Sequence, residues 1–248
     1  MAKEILRPTG IHNNPNTFCP GCLHSMTMKL VAQSLEELGV LDKTILVLGV
    51  GCGTMGINVF DTDLICAAHG RSPAVATGIK RTQPDSFVLT YQGDGDLASI
   101  GLSEIMCAAN RGEKFSVIFV NNSTYGMTGG QLAPTTLVGQ KSSTSPNGRD
   151  PETEGYPLDM CKLLSQLKAP SYIARVALNS VANVRSAKEA IKRAFQYQID
   201  GKAFGFVEIL SNCVTNWNMS PLDSLNFIES TTSKVFPLGV YRDIDEGV

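Results

Sequence analysis

The sequence predicts an α/β fold in which a mainly parallel sheet carries helices on both faces. Helical and strand patterns alternate along the chain, as in folds built from βαβ units. Most strand segments are continuous apolar runs, which are typical of strands buried on both faces. Polar residues follow several of these runs directly, at the edge where parallel sheets bind ligands. With 248 residues, 43% of them hydrophobic, the chain can bury a substantial core.

Helices are predicted where apolar residues recur every three or four positions, and strands where β-branched and aromatic residues cluster. The predicted helices cover residues 22–38, 73–81, 97–111, 158–167 and 184–198. The predicted strands cover residues 44–50, 63–67, 86–92, 115–121, 171–177 and 203–210. The later strands are needed to widen a small sheet, so we expect a single domain over residues 1–248.

Three parts of this domain stand apart from the regular pattern. Residues 1–25 carry a closely spaced cysteine pair and are expected to bind a metal cluster. Residues 131–156 are rich in Pro, Ser, Thr and Gly without apolar periodicity, which favours a long functional loop over a linker or a disordered insertion. Residues 221–248 are weakly patterned, and we expect a tail lying across a surface or a neighbouring subunit.

Charge and hydropathy exclude two classes of partner. The net charge is -2 and the pI is near 5.9, and no basic patch offers a binding surface for nucleic acid. The amino terminus lacks an apolar run of signal-peptide length, and no segment approaches the ~20 apolar residues of a membrane span. The sequence therefore predicts a cytoplasmic protein without a membrane anchor.

Two oxygen ligands mark a candidate metal site. Asp94, within Gly93-Asp94-Gly95, and Asn122 each follow a predicted strand, and a predicted helix lies between them. A carboxylate and a carboxamide at one sheet edge suit Mg²⁺, and a magnesium-bridged diphosphate is the expected guest. The two glycines would let the backbone approach the phosphates.

The seven cysteines divide into two groups, and their odd number in a reducing compartment argues against a disulfide framework. Three lie in apolar helix or strand patterns and are expected to be buried: Cys66, Cys107 and Cys161. Four lie in loops or at strand ends and are expected to be metal ligands: Cys19, Cys22, Cys52 and Cys213.

Four thiolates can hold zinc or an iron–sulfur cluster. Structural zinc usually takes two close pairs, whereas here only Cys19 and Cys22 are close in sequence. Gly51 and Gly53 flank Cys52 and permit the approach of a bulky group, which favours a cluster. Parallel strands would bring Cys52, His69, Asp94, Asn122 and Cys213 to one edge, so the cysteines and the diphosphate ligands form one predicted site.

The sequence resembles the β subunits of the 2-oxoacid:ferredoxin oxidoreductases, which bind thiamine diphosphate. The resemblance covers residues 14–217, and T-G-G-Q at 128–131 is its most specific part. Its motifs are C-P-G-C at 19–22, G-V-G-C-G at 49–53, A-H-G-R at 68–71, A-T-G-I-K at 76–80, G-D-G-D at 93–96, Y-G-M-T-G-G-Q at 125–131 and the late Cys213.

The resemblance implies a role for each motif. A [4Fe-4S] cluster would lie on Cys19, Cys22, Cys52 and Cys213, and Mg²⁺ on Asp94, Asn122 and the carbonyl of Thr124. The cofactor pocket would comprise Gly51, Cys52, His69, Gly93, Asp94, Gly95, Asp96, Asn122, Thr124, Gly126, Met127 and Thr128. His69 is also a candidate catalytic residue, with an ordinary polar loop as the alternative, and the role of Arg71 stays open.

The implied reaction is the CoA-dependent oxidative decarboxylation of a 2-oxoacid, with electrons passing through the cluster to ferredoxin. The activating glutamate of thiamine enzymes is missing, so a larger α (or αγ) subunit would supply it, and a ferredoxin-like subunit could carry electrons outward. Pyruvate, 2-oxoglutarate, branched-chain and aromatic oxoacids stay open, although the chain resembles 2-oxoisovalerate and 2-oxoglutarate subunits more than pyruvate subunits.

Two other functions fit the same motifs. One is the diphosphate-binding subunit of a split, non-oxidative thiamine diphosphate decarboxylase, in which the cysteines hold zinc or nothing. The other is a non-catalytic, metal-binding assembly protein that has kept the fold. An iron–sulfur chromophore separates the oxidoreductase from the split decarboxylase, and cofactor binding separates the oxidoreductase from the assembly protein.

Overall fold

The computed structural model describes residues 7–248, so the first six residues of the predicted segment 1–25 lie outside the described residues. One seven-stranded sheet runs through the chain in the order β2-β1-β3-β4-β6-β5-β7. The strands are β1 (Thr44–Leu48), β2 (Asp63–Cys66), β3 (Phe87–Gly93), β4 (Ser116–Asn121), β5 (Tyr172–Ala177), β6 (Gly205–Leu210) and β7 (Gly239–Asp243). All pairs are parallel except β5 with β7. The predicted fold class is confirmed.

Helices cover both faces of this sheet. On one face lie α1 (His24–Glu37) and α6 (Val181–Ile199). On the other lie α2 (Ser72–Thr82), α3 (Leu102–Arg111) and α5 (Met160–Ser165). Short helices complete the chain: α4 (Pro151–Glu154), α7 (Val214–Trp217), α8 (Pro221–Phe227) and α9 (Ser233–Val235). Among the helices of residues 7–248, none combines the length and the apolar character needed to cross a bilayer.

Burial follows the position of each strand in the sheet. Every residue of β1, β4, β5 and β6 is buried, because helices pack on both faces of the central strands. At the edge, β2 is largely exposed, and Cys66 is exposed with it. Cys107 is exposed on α3, so the prediction that Cys66 and Cys107 are buried is wrong. Cys161 is buried as predicted.

The helix predicted over residues 97–111 is broken at Gly101. A π-helical turn covers Gly95–Ile100, and α3 begins at Leu102. Gly101 packs against the backbone of Gly70, since a Cβ on Gly101 would lie 2.5 Å from the Gly70 carbonyl oxygen. This contact brings the loop after β2 against the turn after β3, which is where the predicted ligands lie.

Residues 221–248 do not form the expected surface tail. They form α8, a π-helical turn, α9 and β7, and β7 extends the sheet antiparallel to β5. The carboxylate of Asp243 on β7 is buried and accepts hydrogen bonds from Arg193 and Tyr197 of α6. The weak sequence pattern reflects an edge strand in which only Asp243 is buried.

Residues 131–156 form an ordered loop around the buried side chain of Arg149. Its guanidinium donates to the carbonyl oxygens of Pro134 at 2.8 Å, Thr136 at 2.7 Å and Gly155 at 2.7 Å. These bonds satisfy backbone acceptors that lack partners in regular secondary structure. The loop therefore has one defined conformation despite its lack of apolar periodicity.

Candidate functional site

The carboxyl ends of the central strands surround a cavity of about 110 Å³. All the pocket residues expected from the sequence lie in its wall, together with four that were not expected. The wall comprises His24, Val50, Gly51, Cys52, Gly53, His69, Gly93, Asp94, Gly95, Asp96, Asn122, Thr124, Tyr125, Gly126, Met127 and Thr128. Residues from five separate chain segments therefore meet at one edge of the sheet.

Asp94 is the buried carboxylate of this cavity. Its Oδ1 accepts a hydrogen bond from the Gly95 amide at 2.8 Å. Its Oδ2 accepts bonds from the Thr124 amide at 3.1 Å and the Thr135 hydroxyl at 2.8 Å. Burial raises the pKa of Asp94 to about 6, although these three donors act against the rise. One Oδ1 lone pair is left for a cation, which would stabilise the ionised form.

Asn122 supplies an acceptor with no partner. Its side chain is 6% exposed, and its Oδ1 is buried without a hydrogen bond within the described residues. A buried polar atom in this state is costly unless a ligand satisfies it. An amide oxygen beside a carboxylate is a donor set that suits Mg²⁺. The residues present therefore fit the predicted metal.

The loop that carries Asn122 is held by its neighbours. Asn121 Nδ2 donates to Glu208 Oε1 at 2.8 Å, and Asn121 Oδ1 accepts from the Ser123 amide at 3.2 Å. Ser123 has φ of 58°, which is a left-handed conformation that costs a non-glycine residue about 1 kcal/mol. The Thr136 hydroxyl donates to the Ser123 carbonyl oxygen at 2.7 Å. Strain of this kind persists only where surrounding bonds enforce it.

Asp96 joins the ends of three strands. Its carboxylate accepts from the Val50 amide at 3.0 Å, the Gly70 amide at 2.8 Å and Gln92 Nε2 at 2.6 Å. Its side chain is completely buried. From the sequence we expected Asp96 in the diphosphate pocket. In the structure its carboxylate accepts hydrogen bonds from all three strand-end segments and so holds them together.

His69 also faces Asp96. Its Nδ1 lies 2.7 Å from Asp96 Oδ1, although the angle is not that of a hydrogen bond, and a third of its side chain is exposed. Arg71, whose role the sequence left open, pairs with Glu104 of α3. In the structure His69 therefore lies in the cavity wall, and Arg71 forms an ion pair with a residue of α3.

The glycines of the wall have different reasons for lacking a side chain. Gly51 has φ of +120°, and a Cβ on Gly51 or Gly93 would meet nothing within 4 Å. Open space in front of both residues fits the approach of a ligand. At Gly95 a Cβ would overlap the ring of Tyr125, so Gly95 is required by packing and not by phosphate approach.

The four loop cysteines gather beside this cavity. A Cβ on Gly126 would lie 3.3 Å from Cys52 Sγ and 3.6 Å from Cys213 Sγ, so both sulfurs flank the same glycine. Burial raises the pKa of Cys22 to about 11 and that of Cys52 to about 12, and the nearby thiols contribute. A raised pKa means that the ionised thiolate is unfavourable at these positions when it has no partner. Binding to a metal would stabilise the thiolate.

Asn212 brings the C-P-G-C turn to the other cysteines. The Leu23 amide donates to its Oδ1 at 3.0 Å, and its Nδ2 donates to the Gly21 carbonyl oxygen at 3.0 Å. Asn212 is fully buried and directly precedes Cys213. Two hydrogen bonds from one side chain therefore join segments that are 189 residues apart.

Besides Val50, Gly53 and Tyr125 in the cavity wall, the sequence did not indicate three polar side chains that hold or line the site: Thr135, His24 and Asn212. Thr135 reaches Asp94 from the long loop, and His24 lines the cavity with its Nδ1 2.8 Å from the Tyr91 hydroxyl. Burial lowers the pKa of His24 to about 4, so its imidazole is neutral. The position of His24 directly after the cysteine turn was a usable signal, whereas Asn212 gave none.

Comparison with known proteins places this site in context. The family described as "Thiamine pyrophosphate enzyme, C-terminal TPP binding domain" matches residues 49–209. The chain therefore contains a thiamine pyrophosphate-binding enzyme domain. Relatives with similar sequences show to which group of thiamine pyrophosphate enzymes the chain belongs.

A ketoisovalerate oxidoreductase subunit VorA of Methanothermobacter thermautotrophicus is 49% identical over 98% of this chain and 53% of its own length. The 2-oxoglutarate synthase subunit KorB of Methanocaldococcus jannaschii is 35% identical over 88% of this chain and 78% of its own. A 2-oxoacid:ferredoxin oxidoreductase subunit beta from Sulfolobus is 30% identical over 93% and 70%. The chain belongs to the β-subunit family of the 2-oxoacid:ferredoxin oxidoreductases, and the resemblance read from its motifs is confirmed.

The chain spans about half the length of the VorA relatives. Among solved structures, the 2-oxoglutarate:ferredoxin oxidoreductase from Magnetococcus marinus with 2-oxoglutarate, coenzyme A and succinyl-CoA bound has a TM-score of 0.78. The alignment covers 98% of this chain and 86% of that one at 24% identity. This likeness establishes a shared fold.

Proposed function

We propose that this chain is the thiamine diphosphate-binding subunit of an enzyme that oxidatively decarboxylates a 2-oxoacid. The reaction takes a 2-oxoacid anion and CoA to acyl-CoA, carbon dioxide, a proton and two electrons, which reduce two ferredoxins. One observation carries the proposal. A Cβ on Gly126 would lie within 3.6 Å of Asn122 Nδ2 and of the sulfurs of Cys52 and Cys213, so a decarboxylation site at Asn122 and an electron acceptor at the cysteines would be neighbours.

The metal and the diphosphate would lie on the strand-end loops. Asp94 Oδ1, Asn122 Oδ1 and the carbonyl of Thr124 would hold Mg²⁺, and the unpartnered amide oxygen supports this assignment. The open faces of Gly51 and Gly93 leave room for phosphate oxygens. We assign the rest of the pocket to Cys52, His69, Gly95, Asp96, Gly126, Met127 and Thr128, which line the same cavity.

The cysteines would hold a [4Fe-4S] cluster. A zinc ion needs its ligands to converge on one point at about 2.0 to 2.3 Å, whereas each cysteine of a cluster binds a different iron. Only Cys19 and Cys22 are close in sequence, whereas Cys52 and Cys213 come from separate loops that meet at Gly126, and this arrangement favours the cluster over zinc.

When bound, thiamine diphosphate supplies the carbanion that decarboxylates the oxoacid, and the cluster accepts electrons one at a time. The chain contributes orientation and charge. Asp96 holds the loops of Val50 and Gly70 together, which keeps Gly51 and His69 facing the cavity. Because His69 Nδ1 faces Asp96, its Nε2 is the nitrogen that would exchange a proton or contact the substrate carboxylate.

A partner subunit would complete the site. The wall of the cavity contains no glutamate among the described residues, whereas thiamine enzymes of this type use one to activate the cofactor. Met127 is 51% exposed and Val50 is 40% exposed, so apolar side chains lie uncovered at the cavity. A larger α (or αγ) subunit would cover them and supply the glutamate, and ferredoxin or a ferredoxin-like subunit would receive the electrons.

The substrate we favour is a branched-chain 2-oxoacid such as 2-oxoisovalerate. Two relatives near 49% identity are named ketoisovalerate oxidoreductase subunits, whereas the 2-oxoglutarate synthase relatives are at 35% or below.

All seven cysteines are free, which fits a reducing cytoplasmic compartment.

A substrate panel tests this function. The complex that co-purifies with this chain under anaerobic conditions is given CoA and each oxoacid, and ferredoxin reduction, acyl-CoA and carbon dioxide are measured. We expect CoA-dependent reduction, fastest with 2-oxoisovalerate, and its loss in an Asp94→Ala complex. Carbon dioxide with an aldehyde and no acceptor reduction would indicate the non-oxidative decarboxylase. No turnover and no thiamine diphosphate binding would indicate the assembly protein.

A further inference from the structure

A single amide group lies between the cysteines and the cofactor loop. Asn216, in α7, directs its Nδ2 at the Gly126 carbonyl oxygen at 2.8 Å and at Cys213 Sγ at 3.1 Å. A carboxamide nitrogen carries two hydrogens, so both bonds form at once. Asn216 is therefore joined to a predicted cluster ligand and to a predicted cofactor-loop residue.

The surroundings hold Asn216 in this position. Gly130 packs against it, since a Cβ on Gly130 would lie 2.9 Å from Asn216 Cβ. The next residue, Trp217, donates its indole N–H to the Asn122 carbonyl oxygen at 3.1 Å and stacks edge-on with Phe227. The short helix α7 is thus fastened to the loop that carries the amide ligand and to the loop that follows it.

We propose that Asn216 is a positioning residue that raises the reduction potential of the cluster and couples it to the cofactor loop. The inference rests on the proposed function. A reduced cluster carries more negative charge on its sulfurs, and an N–H donor to Cys213 Sγ stabilises that state more than the oxidised one. The second hydrogen bond holds Gly126 beside Cys213, so cluster and cofactor keep a fixed separation.

Thr215 supplies a matched control. Its hydroxyl donates to Cys19 Sγ at 3.4 Å, so it is also a hydrogen-bond donor to a predicted cluster ligand. Among the described residues the Thr215 side chain hydrogen-bonds to the cysteine, whereas the Asn216 side chain also hydrogen-bonds to Gly126. Removing the Thr215 hydroxyl should therefore affect the cluster and spare the cofactor loop.

The test uses the intact complex carrying Asn216→Leu or Thr215→Val. Iron content, the midpoint potential from an anaerobic redox titration followed by electron paramagnetic resonance, and the Kd for thiamine diphosphate with Mg²⁺ are measured. We expect wild-type iron in both variants. The potential should become more negative in Asn216→Leu and by a smaller amount in Thr215→Val. Cofactor binding should weaken several-fold in Asn216→Leu alone.

Asn216→Asp provides a second variant of the same shape, in which the donor is replaced by a negative charge. Its potential should also be more negative than that of the wild type. An unchanged potential in a variant with full iron overturns the proposal, as does loss of iron from both Asn216 variants, which would assign the residue to cluster assembly. Absence of iron from the wild-type complex instead refutes the proposed function, before any variant is made.

Discussion

Replacing Arg175 by methionine should strongly destabilise the fold while leaving every predicted ligand in place. The side chain is fully buried, and its Nη2 lies 2.9 Å from Glu208 Oε2 and also pairs with Asp159. Burial is the largest single influence and would lower the pKa of Arg175, but the charge of Glu208 and the hydrogen bonds to Glu208 and Asp159 act together with Cys161 to raise it above its ordinary value. Removing one partner of a buried ion pair costs about 3 to 5 kcal/mol, because the other charge is left without compensation.

This cost converts into a measurable shift. For a chain of this size each kcal/mol moves Tm by about 2 to 4 °C, so Arg175→Met should lower Tm by roughly 6 to 20 °C. Lys162→Ala is the matched control, because Lys162 pairs with the same Asp159 at 3.2 Å but is 62% exposed. An exposed pair is worth about 0 to 1 kcal/mol, so its Tm should hardly change.

The effect should also depend on pH. Burial acts to raise the pKa of Asp159, but the hydrogen bond from Arg175 holds it below its ordinary value. A depressed carboxylate pKa stabilises the fold above the unfolded-state pKa, and that contribution is lost as pH falls through the folded-state value. The difference between wild type and Arg175→Met should therefore be largest near neutrality and shrink below about pH 4.

Thermal and urea unfolding of the chain measure both effects. Glu208 also accepts from Asn121 beside the predicted metal ligand, so thiamine diphosphate binding by the complex should weaken in the same variant. If Arg175→Met unfolds within 1 °C of the wild type at neutral pH, or if Lys162→Ala costs as much, the reasoning about the buried network is refuted.

Three further predictions concern the site. Asn122→Ala should weaken Mg²⁺ and thiamine diphosphate binding together by at least about tenfold in equilibrium titrations, because a ligand is lost, and full occupancy would contradict the metal assignment. Cys213→Ser should abolish ferredoxin reduction and iron binding while sparing most cofactor binding, whereas Cys107→Ser, at an exposed position away from the site, should change neither. Ser123→Gly should raise the free energy of unfolding by about 0.5 to 1 kcal/mol by relieving φ of 58°, and a loss measured by urea unfolding would contradict the strain.

Much of the fold could be predicted because the local patterns and the packing agree. The strand predicted over residues 86–92 is observed as Phe87–Gly93, and the helix over 184–198 as Val181–Ile199. Asp94 and Asn122 could be found because ligands at parallel strand ends share one edge, whatever the detailed packing. Where burial depends on neighbours the reasoning failed. Cys66 has an apolar context, but β2 is an edge strand and leaves it exposed.

The rest of the site depends on side-chain contacts across long sequence separations. Nothing local to Asn212 indicates that it binds the turn containing Gly21, and nothing local to Thr135 indicates a bond to Asp94 across 41 residues. Glu113 shows the same limit. It is a charged residue just past the end of α3, yet it is 7% exposed and pairs with Arg81 and Arg111.

The central claim is that electrons leave the cofactor through an iron–sulfur cluster held by this chain. Anaerobic purification of the complex, with iron and sulfide assays and a visible spectrum, tests it most directly. We expect a broad absorbance at ~400 nm, as is typical of such clusters, with about four iron and four sulfide per complex. Both should be lost in Cys52→Ser. A colourless complex that contains zinc or no metal at the cysteines would contradict the account.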